Sequence, residues 1–260
     1  MGLAILRKQA KWFTVDYHRN VRREDILGAR NVDELILMSR DLRGFNRQIL
    51  RAALIVSLSE RLKPTAFVET GTYLGETAIA AHDLLGVPVY TVEISLANYL
   101  QALSIRLRTA RFGGIHQYLG NSPEVLQRLA SDDRLGSRPF FYLDAHWGDY
   151  CPLADEFVAI FKGFPWAVVV VDDFQVPARP DFEFDSYAGI PIGVDVVKPV
   201  LKPQARLFLP DHDPAAESGH RRGTLLLTHG VDIPGNLTEW GFPFTLYREC
   251  RMEAEQSLGR

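Results

Sequence analysis

Cysteine, lysine and long apolar runs are all scarce in this chain, and each scarcity excludes something. Among 260 residues the only cysteines are Cys151 and Cys250. Two thiols make no disulfide framework and suit a reducing compartment. No apolar run reaches the ~18 residues that a membrane span requires. The stretch Met1–Arg7 is too short for a secretory signal, and no small-residue cleavage pattern follows closely. Gly2 lacks the nearby Ser or Thr of a myristoylation signal. A cytoplasmic location away from membranes is therefore expected. Basic residues are mostly arginine, and no lysine lies between Lys63 and Lys162. The formal net charge is −3, so no basic excess points to nucleic acid.

Apolar residues are plentiful. They make up 47% of the chain, with 15 Phe, 9 Tyr and 4 Trp, enough for one large core. Residues 1–30 mix Lys8, Lys11, Arg19, Arg22 and Arg23 with Trp12, Phe13 and Tyr17. We read this as a solvated arm packed on the body or on a partner, with a C₂ homodimer as the default assembly. Residues 31–63 read as helices. Asn31 or Asp33 caps the first, Gly44 separates it from a second, and Pro64 stops the second. An apolar stripe through Ile49, Leu50, Ala53, Leu54, Val56, Leu58 and Leu62 marks that second helix.

From residue 66 the pattern becomes regular. Strands are predicted at Ala66–Glu69, Pro88–Val92, Ile115–Leu119, Pro139–Leu143 and Ala167–Val171. Helices are predicted between them at Thr77–Leu85, Ala97–Ala110 and Pro123–Leu129, with a fourth at Leu153–Phe161. The strands are near-continuous apolar runs, which argues an α/β fold with a parallel sheet covered on both faces. Five prolines interrupt residues 174–205, a stretch too long for an idle connection and suited to a lid or substrate loop. Candidate late strands are Arg206–Pro210, Thr224–Thr228 and Phe244–Tyr247, with their pairing left open.

Polar residues collect at the carboxyl ends of these strands. Glu69, Glu93, Asn121-Ser122, Asp144 and Asp172-Asp173 all lie there, where an open α/β sheet binds ligands. The first strand runs into Glu69-Thr70-Gly71-Thr72-Tyr73-Leu74-Gly75-Glu76-Thr77, a tight turn and a helix start. Glycines there permit φ > 0 and close approach of a ligand. A dinucleotide fingerprint would need a glycine where Tyr73 stands. Glu93 lies about twenty residues further on, where an acid can accept both hydroxyls of a ribose. Asn121 and Ser122 either cap the next helix or face an adenine. Converging carboxylates at Asp144, Asp172 and Asp173 repel unless a cation sits between them, and such oxygen ligands suit Mg²⁺.

The form Glu-x-Gly-x-x-x-Gly at residues 69–75 resembles the first motif of class I S-adenosylmethionine-dependent methyltransferases. With Glu93, Asp144 and Asp172-Asp173, residues 67 to about 176 resemble the metal-dependent O-methyltransferases. That group includes the catechol and caffeoyl-coenzyme-A type and the macrocin and cephalosporin-hydroxylase-type relatives. The resemblance implies a Rossmann-like methyltransferase domain over 64–260, entered by a helical extension over 1–63. It implies S-adenosylmethionine held by Glu69, Gly71, Thr72, Tyr73, Gly75, Thr77, Glu93, Asn121, Ser122 and Asp144. It also implies a divalent ion, Mg²⁺ or another, on Asp144, Asp172 and Asp173, and a small-molecule hydroxyl as acceptor.

Two departures stand out. The catechol-type enzymes carry a lysine base three residues after the strand-four aspartate, and here that place is Trp147. His146 is then the nearest group able to take a proton, beside Asp144, or else it is a metal-associated or backbone-bonded residue. Trp147 stacks on a flat substrate, walls the cofactor sulfonium or belongs to the core. The acid usual at the adenine position is absent, replaced by Asn121-Ser122. His220 and Arg221, with Arg222, offer a phosphate or carboxylate contact or form a solvated turn. The competing readings are a nicotinamide oxidoreductase and a methyltransferase-like binding protein without turnover.

Overall fold

A computed structural model describes residues 21–109, 113–145, 150–237 and 247–250. The chain enters through α1 (Arg23–Gly28) and α2 (Val32–Met38), the latter capped by Asn31, whose side chain accepts from Glu34 N–H at 2.9 Å. Two 3-10 turns lead to α3 (Ile49–Leu62). That helix ends one residue before Pro64's predecessor would have to stay helical, with Lys63 in the left-handed region at φ 49°.

The regular part follows the predicted alternation. Strands β1 (Ala66–Thr70), β2 (Val89–Glu93), β3 (Ile115–Leu119), β4 (Pro139–Leu143) and β5 (Ala167–Val171) alternate with helices. The helices are α4 (Glu76–Leu85), α5 (Leu96–Arg108), α6 (Ser122–Leu129) and α7 (Leu153–Gly163). The insertion after β5 forms a small hairpin of β6 (Ser186–Tyr187) and β7 (Ile190–Pro191), then the short α8 (Val194–Val197). Three late strands, β8 (Arg206–Pro210), β9 (Leu225–His229) and β10 (Tyr247–Cys250), complete the main sheet.

The sheet order is β10-β8-β9-β5-β4-β1-β2-β3. Strands β1 to β5 pair in parallel, and β9 and β10 run antiparallel to their neighbours. The pairing left open in the sequence is thus decided: β9 inserts between β5 and β8. The core explains why the strands read as unbroken apolar runs. Phe67, Phe140, Tyr142, Val168 and Val170 pack on one face with α3 and α4. Val68, Phe141, Leu143, Val169 and Val171 pack on the other with α6 and α7. Alternation exists in space, but both faces are dry. Among the described residues no helix is long and apolar enough to cross a membrane.

The chain steps outward from β1 to β2 to β3, then returns to β4 on the other flank of β1. A crevice opens between the ends of β1 and β4 at this reversal. Gly71 sits in it with φ 85°, and a Cβ built there would lie 2.2 Å from the Asp144 carbonyl oxygen. The glycine is required by the neighbouring strand end as well as by its own dihedral.

Gly86 provides a control, since its φ is 66° with nothing within 4 Å of a built Cβ. We expect Gly86→Ala to cost about 1 kcal/mol, the backbone term alone. Gly71→Ala should cost clearly more in a urea melt. Equal costs would show that the β1 and β4 ends are further apart than described.

Candidate functional site

The five acidic strand-end positions have different surroundings, and so different chemistry. Glu69 is the penultimate residue of β1 and is buried. It accepts a hydrogen bond from the Thr91 hydroxyl, which in turn meets Thr72 Oγ1 at 2.6 Å. Burial pushes its carboxyl well above the usual range, opposed by the Thr91 bond and assisted by the charges of Asp144 and Glu93. Through Thr91 and Thr72 it links the glycine turn to β2.

Glu93 closes β2. One carboxylate oxygen accepts from Tyr73 N–H and the other from Ser95 N–H, both at 2.8 Å. It ties the turn after β1 to the entrance of α5, and this tie holds Tyr73 at φ 47°. Each oxygen keeps one further lone pair. Next to it Ile94 is 68% exposed and Leu96 57% exposed, an apolar surface beside a carboxylate. Asn121 occupies the N-cap position of α6 without a side-chain cap, and Ser122 is the helix's first residue.

Asp144 follows β4 and is half-buried, its N–H donating to the Thr70 carbonyl at 3.0 Å. Asp172 follows β5 and is fully buried. It forms an ion pair with Arg51 of α3 and accepts from the Tyr142 hydroxyl. It also accepts from Asn46 Nδ2 at 2.8 Å and from Asp173 N–H at 2.7 Å. Arg51 is 1% exposed and donates further to Thr224 Oγ1, from Nη2 at 2.8 Å and Nε at 3.1 Å. Asp173 adopts φ 54° and lies 3.2 Å from Arg222 Nη1. Its Oδ1 is buried without a hydrogen-bond partner among the described residues. Burial first, then the charges of Asp172 and Asp144, pushes its carboxyl up to about 9 against the pull of Arg51 and Arg222.

The three aspartates expected to hold a cation therefore meet at this floor with other partners. Asp172 has both oxygens engaged by a guanidinium, a phenol, an amide and a backbone N–H. Arg222 already stands against Asp173. No group of His, Cys, Asp and Glu suited to a metal ion occurs among the described residues. The residues present do not fit a divalent ion shared by Asp144, Asp172 and Asp173, because Arg51 supplies the compensating charge.

A cavity of about 730 Å³ opens over this floor. Gly71, Thr72, Tyr73, Thr77, Asp144, Asp173 and His220 line it, as do Glu76, Asn46, Arg47, Asp185 and Arg222. The first seven of these are residues that the sequence singles out, and the fold brings them together here. Glu69, Gly75, Glu93, Asn121, Ser122 and Asp172 lie outside that lining. Arg221 is exposed and does not line the cavity; Arg222 does, bonded to Asp185 of the insertion. His146 and Trp147 lie outside the described residues. Arg51, Asn46, Tyr142 and Asp185 were not foreseen. A lone arginine inside the apolar stripe of α3 was the available signal for Arg51.

Neither a family model nor a curated protein matches the sequence at a significant level. Among solved structures the chain is similar to an O-methyltransferase from Bacillus cereus in complex with SAH. The identity is 19% and the TM-score 0.50, over 66% of this chain and 77% of that one. The SAH-bound Podospora anserina methyltransferase PaMTH1 aligns at 15% identity and a TM-score of 0.49, over 76% and 87%. Identities this low establish the fold. The chain has the mixed α/β, Rossmann-like topology of the class I methyltransferases.

Two measurements test the electrostatics. Arg51→Met leaves Asp172 buried and uncompensated, and we expect a loss of about 3–5 kcal/mol in denaturant melts. Arg51→Met with Asp172→Leu should recover much of it; no recovery would mean that packing rather than charge was lost. For Asp173 the folded-state pKa is raised, so its contribution to stability is full below the ordinary 3.8 and is withdrawn as pH rises toward about 9. Asp173→Asn should therefore leave the melting temperature nearly unchanged at pH 4 and raise it at pH 8.5. A variant less stable at pH 8.5 than the parent would contradict this.

Proposed function

We propose that this chain transfers a methyl group from S-adenosylmethionine to a hydroxyl of a small molecule. The charge of the cavity is the observation that carries the reading. Glu76, in the first turn of α4, and Asp144 both line it where a dinucleotide's pyrophosphate would have to sit. Two carboxylates there repel a pyrophosphate and favour a cofactor that carries a sulfonium and an ammonium group. A nicotinamide oxidoreductase is disfavoured on the same ground.

The residues present fit S-adenosylmethionine. Glu93 retains lone pairs for the ribose hydroxyls, and Ile94 and Leu96 offer an exposed apolar face for the adenine. Asn121 has an uncapped amide for the adenine's edge, and Asp144 and Glu76 suit the ammonium. Bound there, the cofactor supplies an electrophilic methyl group on a positively charged sulfur and leaves as the neutral thioether. The chain's own task is to align the acceptor oxygen and remove its proton. Asp173 is the described cavity group that can take it, since Oδ1 is unpartnered and the carboxyl is basic enough to match a phenolic hydroxyl. His146, two positions after Asp144 in the sequence, is the second candidate base, and Trp147, next in the sequence, is a candidate acceptor contact. The metal-assisted version of the reaction is not carried, because Asp172 is engaged by Arg51.

Calorimetry against S-adenosylhomocysteine and NAD tests the reading. We expect binding of the first and not the second, and Glu93→Ala should weaken it by about 1.5–3 kcal/mol. Binding of NAD alone would overturn the proposal. Turnover on a panel of phenols should rise with pH toward about 9 if Asp173 is the base, and Asp173→Asn should abolish that limb. A limb centred near 6.5 that His146→Ala removes would transfer the role to His146.

A further inference from the structure

The segment before α3 is built in an uncommon way. Phe45, Asn46 and Arg47 have φ of 49°, 52° and 60°, three successive non-glycine residues in the left-handed region after Gly44 at 81°. Each is disfavoured relative to a right-handed turn, because Cβ crowds the carbonyl oxygen that follows. The surroundings over-determine the turn. The Phe45 ring is fully buried and meets Phe67 and Tyr142 edge-on, with centroids at 6.4 and 5.6 Å. Phe45 N–H donates to Thr77 Oγ1 at 3.0 Å, and Asn46 holds Asp172. Ser218 Oγ donates to the Arg47 carbonyl at 2.7 Å. Backbone and two side chains are thus committed, and the third side chain is the exception.

Arg47 is exposed, lines the cavity, and has no side-chain partner among the described residues. The other arginines near the floor are spent: Arg51 on Asp172, and Arg222 on Asp173 and Asp185. A strained turn locked to both α4 and β5 therefore holds one uncommitted guanidinium at the cavity wall.

We propose that Arg47 is an anion-binding residue that receives a carboxylate or phosphate of a molecule bound in the cavity. Two sources share this chemistry: the amino-acid carboxylate of the cofactor, or an acidic group on the acceptor. The planar fork of arginine suits either bidentately. The choice of probes rests on the methyl-transfer reading, but the anion site itself does not.

Calorimetry on the full chain and on Arg47→Gln separates the cases, with circular dichroism to confirm the fold. The first probe pair is S-adenosylhomocysteine and 5′-methylthioadenosine, which lacks the amino-acid end. The second is 4-hydroxybenzoate and phenol, with phenyl phosphate as a further anion. The parent should prefer the carboxylate- or phosphate-bearing member of at least one pair, and Arg47→Gln should remove that preference, a loss of about tenfold to a hundredfold in Kd. Loss confined to S-adenosylhomocysteine assigns the cofactor's carboxylate. Loss confined to 4-hydroxybenzoate or phenyl phosphate assigns an acidic acceptor. Anion binding that depends on Arg47 in a parent that ignores both adenosyl probes would keep the site and remove the methyl-transfer reading. Unchanged preferences in Arg47→Gln, or none in the parent, would overturn the proposal.

Discussion

The ion pair between Arg51 and Asp172 is the constraint on which the site's geometry depends. Both members are withdrawn from water, so neither can be left alone without a penalty of several kcal/mol. Satisfying them recruits Tyr142 from β4, Thr224 ahead of β9 and Asn46 from the turn before α3. One buried contact thereby joins the entry helices, the centre of the sheet and the late antiparallel strands. A buried pair of this kind adds little net stability compared with an apolar core, but it tolerates few alternative arrangements.

Around that pair, residues of one chemical type take different roles. Glu69 lies deep enough that burial raises its carboxyl well above the usual range. Glu93 spends its oxygens on two backbone N–H groups and shapes the glycine turn. Asp144 stays half-open at the crevice. Asp173, next in sequence to a carboxylate neutralised by arginine, is itself forced toward its protonated form. Position at a strand end is shared by all of them, and desolvation and neighbouring charge separate them.

The insertion after β5 closes one side of the cavity. Asp185 N–H donates to the Asp173 carbonyl at 3.1 Å, and in the segment before β9 the Arg221 carbonyl accepts from Glu183 N–H while Gly223 N–H donates to the Glu183 carbonyl. Phe182 is buried beneath. Arg222 clamps Asp185 to the same floor that Asp173 belongs to. The long proline-bearing loop thus contributes Asp185 to the cavity wall.

The sequence by itself determined the α/β class, the five parallel strands, the glycine turn and the acidic strand ends. Those features are local: apolar runs, breakers and caps act over a few residues, and the reversal of an open sheet then brings the strand ends together. Asn31 as a cap and Pro64 as a stop were legible for the same reason. Only the tertiary structure decided what each carboxylate faces. Arg51 lies 121 positions before Asp172, and Asn46 lies 126 before it, so no spacing within the strand-end motifs could announce them. In the linear reading, three aspartates without a visible cation called for a metal ion. In the folded chain a guanidinium from the middle of an apolar helix stands there, because long-range burial, and not local pattern, sets which charges must be paired.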